Sequence, residues 1–149
     1  MSVVVGHSKG PEAAAALERA AKEAELRSLP LHILEHVVLD TPAGATQATQ
    51  QGRYLESTEA ELERVAARFR ATGLEVHTHV LTTHDGDASF ADDVIALADE
   101  LGATLIVVGI RKRSRVGKLV LGSRAQDVLL RADCAVLAVK SESDQEGPE

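Results

Sequence analysis

The sequence contains no tryptophan, one tyrosine, two phenylalanines and a single cysteine. One cysteine excludes an internal disulfide and a cluster of thiolate metal ligands. Cys134 lies in the apolar stretch "ADCAVLAV", so we expect a buried structural thiol rather than a reactive one. With so few aromatic rings, alanine, valine and leucine must form the core, and such a core suits helices packed closely on a sheet.

Long apolar runs are also missing, since none approaches the roughly 20 residues that span a bilayer. A secretory signal needs a longer apolar stretch than the chain has at its start, because "MSVVVGHSKG" is already charged and polar by its tenth residue. We therefore expect a cytoplasmic protein that does not contact a membrane. A length of 149 residues allows one ordinary core, so we predict one domain over residues 1–140 and a disordered acidic tail over 141–149.

Acidic residues are absent from residues 101–126, which carry six arginines and lysines in a chain of net charge -7. A local positive field in an acidic protein favours a small anion over a polyanion, because the surrounding surface repels extended nucleic acid. The basic stretch also lacks the aromatic side chains on which bases would stack. We therefore do not expect nucleic acid to be a partner.

Strand patterns and helix patterns alternate along the chain. The predicted strands are residues 2–6, 31–38, 74–81, 103–109 and 134–139, and the predicted helices are 11–28, 54–73, 90–102 and 123–132. Residues 39–52 have no apolar period and predict one long loop, partly helical near its end, which is a candidate lid. This order predicts a three-layer α/β/α fold, with a doubly wound parallel sheet covered by helices on both faces.

In such sheets a ligand binds beyond the carboxyl ends of the strands, at the point where the winding direction reverses. If the reversal lies between the first and fourth predicted strands, "GHS" at 6–8 and "GIRKRS" at 109–114 face each other across one cleft. His7 is then placed to contact a ribose or carry a proton, and the alternative is an exposed loop histidine.

The basic stretch does not match two familiar phosphate-binding motifs. For G-x4-G-K-[ST], the first glycine would fall on Lys112 and the hydroxyl residue on Leu119. The dinucleotide motif G-x-G-x-x-G is absent after the first strand. We instead expect Gly109 to turn the chain off a buried strand and Ser123 to cap a helix whose first amides bind a phosphate. An unliganded basic loop with an ordinary helix cap is the alternative.

Other polar residues have simpler explanations than catalysis or metal binding. His77 and His79 lie on one face of a strand, a spacing that can bind a metal. No third ligand is apparent apart from His84, so we predict no metal site. Four acidic residues occupy positions typical of helix caps and helix-dipole partners: Asp85, Asp87, Asp92 and Asp93. We therefore predict no catalytic residue among them.

The stretch "TLIVVGIRKRSRVGKLVLGSRAQDVLLRADCAVLAVK" resembles the C-terminal half of universal stress protein domains. The signature of this family, G-x2-G-x9-G-[ST], lies between the fourth strand and the fourth helix. Gly109, Gly122 and Ser123 match it, and Lys112 stands at its middle glycine. The start of the chain, "VVVGHSKGPEAAAALERAAKEA", also resembles the family, so the resemblance covers about residues 2–140.

The resemblance implies a Rossmann-like fold with strand order 3-2-1-4-5 and a homodimer formed through the last strand. It further implies a stress-response protein that binds ATP or AMP, with or without Mg²⁺, and has little or no catalytic activity. Val37 is implied as a backbone contact to adenine, with the glycine loop holding ribose and phosphates. The predicted nucleotide-binding residues are Gly6, His7, Val37, Val108, Gly109, Arg111, Lys112, Lys118, Gly122, Ser123 and Arg124.

The sequence departs from the family pattern at two positions. Gly6 replaces an aspartate that commonly lies near the nucleotide. Lys112 adds bulk and charge in place of glycine, so it either binds phosphate as a point charge or fills the cleft. Two alternatives therefore stay open. One is a dimeric protein that binds no nucleotide and meets an unknown protein partner through its dimer surface and residues 39–56. The other is a slow ATPase or adenylyl transferase that uses Lys112 or Lys118.

Overall fold

The computed structural model describes residues 1–84, 87–112 and 119–141. Strands and helices alternate over most of this length. The strands are β1 (Ser2–Gly6), β2 (Leu31–Val38), β3 (Val76–Thr83), β4 (Ala103–Lys112), β5 (Leu119–Val120) and β6 (Ala135–Lys140). The helices are α1 (Pro11–Arg27), α2 (Ala45–Arg70), α3 (Asp87–Glu100) and α4 (Ser123–Arg131).

Five of the strands form a parallel sheet in the order β3-β2-β1-β4-β6. This is the predicted order 3-2-1-4-5 once the two-residue strand β5 is set aside, so the predicted fold is confirmed. Strand β5 was not predicted; it pairs antiparallel with the end of β4, where Lys112 lies opposite Leu119. The reversal in winding falls between β1 and β4, as the predicted cleft requires.

Each face of the sheet carries its own apolar cluster, because side chains alternate along every strand. Val3 and Val5 of β1 pack with Leu62 and Phe69 of α2 and with the alanines of α1. Val4, between them, faces the other way and packs in the cluster that includes residues of α3 and α4. We call these two sides the α1/α2 face and the α3/α4 face.

Helix α2 corrects the predicted loop over residues 39–52. The helix begins at Ala45, so only residues 39–44 connect it to β2. Its first three turns are largely exposed, and an exposed helix needs no apolar stripe from which it could be recognised. The segment therefore gives no support to the predicted lid.

Smaller corrections concern the ends of elements and the cysteine. Strand β3 begins and ends two residues later than predicted, and β4 continues three residues beyond Gly109. Cys134 is partly exposed rather than buried, although burial still raises the pKa of its thiol. Of the predicted tail, residues 142–149 lie outside the described residues. Among the helices that the structure describes, none has the length and apolarity to cross a membrane.

Candidate functional site

A cavity of about 230 Å³ opens between the carboxyl ends of β1 and β4, on the α3/α4 face. Its wholly buried lining residues are Val4, Leu34, Ile106, Val107 and Val128. His36, Phe90 and Val94 add further walls. Gly6 and His7 line the cavity at the end of β1, and Gly109 lines it from within β4. The cavity therefore sits at the predicted switch point and is mostly apolar, as small-molecule sites are.

A polar groove of about 500 Å³ adjoins this cavity. Gly109 and Arg124 line both spaces, and so do Glu12 and Ala125. The groove continues past Arg111 to Gly122 and Ser123 at the start of α4. Cavity and groove together form one elongated site with an apolar end and a charged end.

The charged end includes the N-terminus of α4. Gly122 is the residue before the helix, and the first intrahelical bond described there runs from the Gln126 N–H to the Gly122 carbonyl at 2.9 Å. The amides of Ser123, Arg124 and Ala125 therefore have no intrahelical acceptor, and they carry the partial positive charge of a helix start. Among the described residues no side chain caps the helix, so the predicted capping role of Ser123 is wrong.

The two described arginines of the groove make different contacts. The Arg111 Nη2 donates a hydrogen bond to Glu12 Oε1 at 2.8 Å, and this bond holds the pKa of the Glu12 carboxyl below its usual value against the effect of burial. The other carboxylate oxygen, Oε2, is buried and accepts no hydrogen bond within the described part of the chain. Arg124 lies over the Phe90 ring, 4.9 Å from its centroid.

Three glycines line the site for different reasons. The prediction that Gly109 turns the chain off the strand is wrong, because Gly109 lies inside β4 and pairs with Val139. A Cβ at Gly109 would stand 2.4 Å from the backbone oxygen of Glu12, so glycine is required there by the close passage of α1. At Gly6 and Gly122 an added Cβ would meet no described atom within 4 Å.

His7 is partly buried and has a partner, so it is not an exposed loop histidine. Its Nδ1 lies 2.6 Å from Glu35 Oε1, and its side chain is 16% exposed. Its backbone N–H donates to the Leu34 carbonyl at 2.7 Å, which fixes the residue directly beyond the end of β1. The side chain lines the cavity from this position.

The remaining predicted residues divide into those near the site and those outside the description. Val108 lines the cavity. Val37 is buried on β2 and is not among the described lining residues, whereas its neighbour His36 is. Lys112 ends β4, and its side chain is not described; Lys118 lies outside the described residues. Their roles as nucleotide contacts stay predictions.

Sequence reasoning missed His36, which is the most enclosed polar side chain of the cavity. The side chain is 2% exposed, and neither ring nitrogen has a hydrogen-bond partner in the part of the chain that the structure describes. The ring packs edge-to-face on Phe90, with 5.3 Å between centroids. The signal was present in "LHILEHVV", where His36 alternates in phase with Leu34 and so points to a covered face.

Three other histidines lie on the same face but away from the cavity. His32 Nδ1 is 2.9 Å from His79 Nε2, and the His32 ring stacks on His77 with 4.9 Å between centroids. Burial, followed by the neighbouring His79 and His77, lowers the pKa of His32 from 6.5 to about 4. Within residues 1–84, 87–112 and 119–141, no group of three or more His, Cys, Asp or Glu residues is arranged to hold a metal.

Comparison with known proteins identifies the family. The family model described as "Universal stress protein family" matches residues 1–140. A universal stress protein of Mycolicibacterium smegmatis is 34% identical over 138 residues, which are 93% of this chain and 96% of that protein. A solved universal stress protein from Archaeoglobus fulgidus is 35% identical with a TM-score of 0.68, and covers 94% of this chain and 98% of its own.

A second solved structure carries a ligand. It is a universal stress protein from Archaeoglobus fulgidus in complex with dAMP, 28% identical with a TM-score of 0.65. The match covers 94% of this chain and 98% of that one. The sheet order, the cleft at its switch point and these matches agree with one another, and the chain belongs to the universal stress protein family.

Proposed function

We propose that this protein binds an adenine nucleotide, ATP or AMP, as a signal or a stabilising ligand in a stress response. The observation that carries the proposal is the shape of the site, in which an apolar cavity opens directly into a charged groove at the switch point of the sheet. A nucleotide has the same division between an apolar ring and a charged tail. The dAMP complex of the Archaeoglobus fulgidus relative supports this choice of ligand.

The base would occupy the cavity, and the phosphates would extend along the groove towards α4. Arg124 lies at the junction, and the N-terminus of α4 provides backbone donors and a favourable dipole for an anion. Gly122 leaves open space at those amides, so a phosphate oxygen can approach the backbone closely. Mg²⁺ would accompany ATP rather than be held by the protein.

We further propose little or no turnover. Among the described groove residues the carboxylate is Glu12, and its Oε1 already accepts a hydrogen bond from Arg111. A general base must be within reach of the proton that it removes, and a carboxylate paired in this way is a weak base. The ligand would then act by stabilising one state of the protein.

The proposal includes a cytoplasmic homodimer formed through β6. This strand pairs with β4, and no second strand pairs with it among those described. An unpaired apolar edge favours association with another strand, and a second copy of the chain supplies one. Sedimentation of the purified protein at the mass of a monomer over micromolar concentrations would contradict this part.

Isothermal titration calorimetry with ATP and with AMP, each with and without Mg²⁺, tests nucleotide binding. The double variant Gly122→Val, Ser123→Ala places a branched side chain in the open space beside the α4 amides, and we expect it to lose the binding heat. Gly44→Val is the matched control, because Gly44 also precedes a helix and has no described atom within 4 Å of an added Cβ. Equal affinities in the wild type and the double variant would contradict the proposed site.

One observation favours a second candidate function, binding of a protein partner without nucleotide. The first three turns of α2 are largely exposed, and they present Tyr54 with 56% of its surface accessible. Aromatic residues are enriched at protein interfaces. If this surface is the functional one, Tyr54→Ser should remove partners captured from stressed cells while ATP binding is unchanged, and an unchanged set of partners would count against it.

A further inference from the structure

Glu12 brings a negative charge into the groove that the proposed function assigns to the phosphates. The residue lies in the first turn of α1 and lines both the apolar cavity and the groove. Its side chain is 17% exposed, and its Oε2 is buried without a hydrogen bond from any described residue. A charge enclosed in this way is screened less by salt than one on the open surface, so it acts on whatever occupies the groove.

The partner of this carboxylate is an arginine that the phosphates would also attract. Arg111 Nη2 donates to Glu12 Oε1 at 2.8 Å, and Arg111 lines the same groove. A hydrogen bond between a guanidinium and a carboxylate is charge-assisted and among the stronger ones, so a phosphate must compete with Glu12 for this donor. The same bond holds the pKa of the Glu12 carboxyl below its usual value, so the carboxylate stays ionised at neutral pH.

We propose that Glu12 limits how strongly the groove binds phosphate groups, and that it weakens binding more with each phosphate that the nucleotide carries. It does so in two ways, because it occupies a donor of Arg111 and because it repels the anion. The inference rests on the proposed function, since it requires phosphates in the groove. It specifies the ligand further: the loss of affinity is greater for ATP than for AMP, and Mg²⁺ reduces it by neutralising phosphate charge.

A carboxylate can instead help an arginine to bind phosphate by holding it in position, and substitution of Glu12 distinguishes the two roles. The location of Glu12 favours opposition, because the residue lines the groove itself rather than lying behind Arg111. Glu12→Gln removes the charge but keeps a carbonyl oxygen that can accept the bond from Arg111. Glu12→Ala removes both the charge and the bond. If Glu12 opposes phosphates, both variants bind them more tightly than the wild type does.

The experiment measures by calorimetry the affinities of AMP, ATP and inorganic tripolyphosphate for the wild type and for each Glu12 variant, without Mg²⁺. We expect Glu12→Gln to bind AMP about threefold more tightly, and ATP and tripolyphosphate about tenfold or more. With Mg²⁺ present, the gain for ATP should fall towards that for AMP.

Glu18→Gln is the matched control for this measurement. It removes one negative charge from the same helix, from a glutamate that is paired with Arg68 at 2.8 Å. Glu18 is not among the described residues that line the cavity or the groove. All the affinities of this variant should therefore equal those of the wild type, and a gain equal to that of Glu12→Gln would mean that only net charge matters.

The outcomes separate this inference from the proposed function. Unchanged affinities in both Glu12 variants, or the same gain for AMP and ATP, would overturn the inference, and a loss in both would show that Glu12 positions Arg111. If no protein of the set binds AMP or ATP, the proposed function itself is refuted. Tripolyphosphate still tests the inference in that case, because tighter binding by Glu12→Gln supports it and unchanged or absent binding overturns it.

Discussion

The two faces of the sheet are formed by the same strands, but they are packed differently. On the α1/α2 face, buried aliphatic side chains such as Leu31, Ile33 and Leu62 fill the space between sheet and helices. On the α3/α4 face, β2 contributes His32, Leu34 and His36, and a cavity opens beside Leu34 and His36. One strand therefore supplies aliphatic side chains to one face of the sheet and two histidines to the other.

The difference indicates which face of the sheet can tolerate the polar groups and the cavity of a site. Polar atoms and voids both reduce stability, so they are tolerated where a well-packed region elsewhere compensates. Here the α1/α2 face provides that region, since its cluster joins α1 and α2 to the buried valines of β1 and β4. The site can consequently keep a buried histidine without a described hydrogen bond, and an open cavity, while the fold stays stable.

The largest expected effect comes from removing a leucine on each face. Leu62→Ala should lower the free energy of unfolding by about 3–5 kcal/mol, because Leu62 is enclosed on every side by the α1/α2 cluster. Leu34→Ala should cost about 2–3 kcal/mol, because one side of Leu34 already faces the cavity and makes fewer contacts. Urea unfolding measures both, and an equal or larger loss for Leu34→Ala would remove the proposed contrast between the faces.

Gly109 offers the next test, because it links the site to α1. Gly109→Ala should lower the free energy of unfolding by about 3 kcal/mol, since its Cβ would stand 2.4 Å from the Glu12 backbone oxygen and α1 would have to shift. Gly6→Ala is the matched control in the neighbouring strand, where the Cβ has open space; we expect it to change stability by less than about 1 kcal/mol. Similar unfolding midpoints for the two variants would contradict the close passage of α1.

The paired histidines of the α3/α4 face should make stability depend on pH. The pKa of His32 in the folded protein is about 4, below its value of 6.5 when unfolded, so the unfolded chain binds more protons between these values. The stability is therefore highest above pH 6.5 and falls as the pH approaches 4, by at most about 3.5 kcal/mol at about 1.4 kcal/mol per pKa unit. His32→Gln should flatten the pH dependence of the urea midpoint over this range.

The control for that measurement is His84→Gln, which alters an exposed histidine whose Nδ1 contacts the Leu39 carbonyl. This variant should keep the acid sensitivity of the wild type. Loss of sensitivity in the His84 variant, or its retention in His32→Gln, would show that other groups govern acid unfolding. Of the groups that act on the pKa of His32, His79 and His77 lower it and Glu75 raises it, while Glu100 acts in the same direction as Glu75 on the pKa of His79.

The sequence predicts the sheet and the position of the cleft well, because both depend on local patterns that repeat along the chain. Alternating strands and helices define a doubly wound sheet, and the point where its winding reverses gives the position of the cleft. Helix α2 was placed too late because its first turns bury nothing and so leave no periodic signal. A helix end without an apolar stripe is recognisable only from the structure.

The chemistry of the site depends on distant residues and is harder to predict. Glycine is required at position 109 because the backbone of Glu12, on the first helix, passes close to it. No sequence pattern near Gly109 indicates this contact. The sequence pattern likewise predicts only that His36 is an inward-facing residue of β2. Its contacts with Phe90 and Asp93 of α3 are known only from the structure. Burial can be inferred from alternation, but the neighbours of a buried side chain are a property of the assembled fold.

The smallest expected effect concerns Ser123, and it separates binding from stability at the charged end of the site. With no side-chain cap at α4 in the described structure, Ser123→Ala should change the free energy of unfolding by less than about 0.5 kcal/mol, whereas loss of a true cap costs about 1 kcal/mol. Ser2→Ala is the matched control, because the buried Ser2 Oγ donates to the Leu101 carbonyl at 3.1 Å and its loss should cost about 1 kcal/mol or more. If Ser123→Ala proved as costly as Ser2→Ala in urea unfolding, Ser123 would stabilise α4 itself, and weaker nucleotide binding by that variant could no longer be assigned to a lost contact.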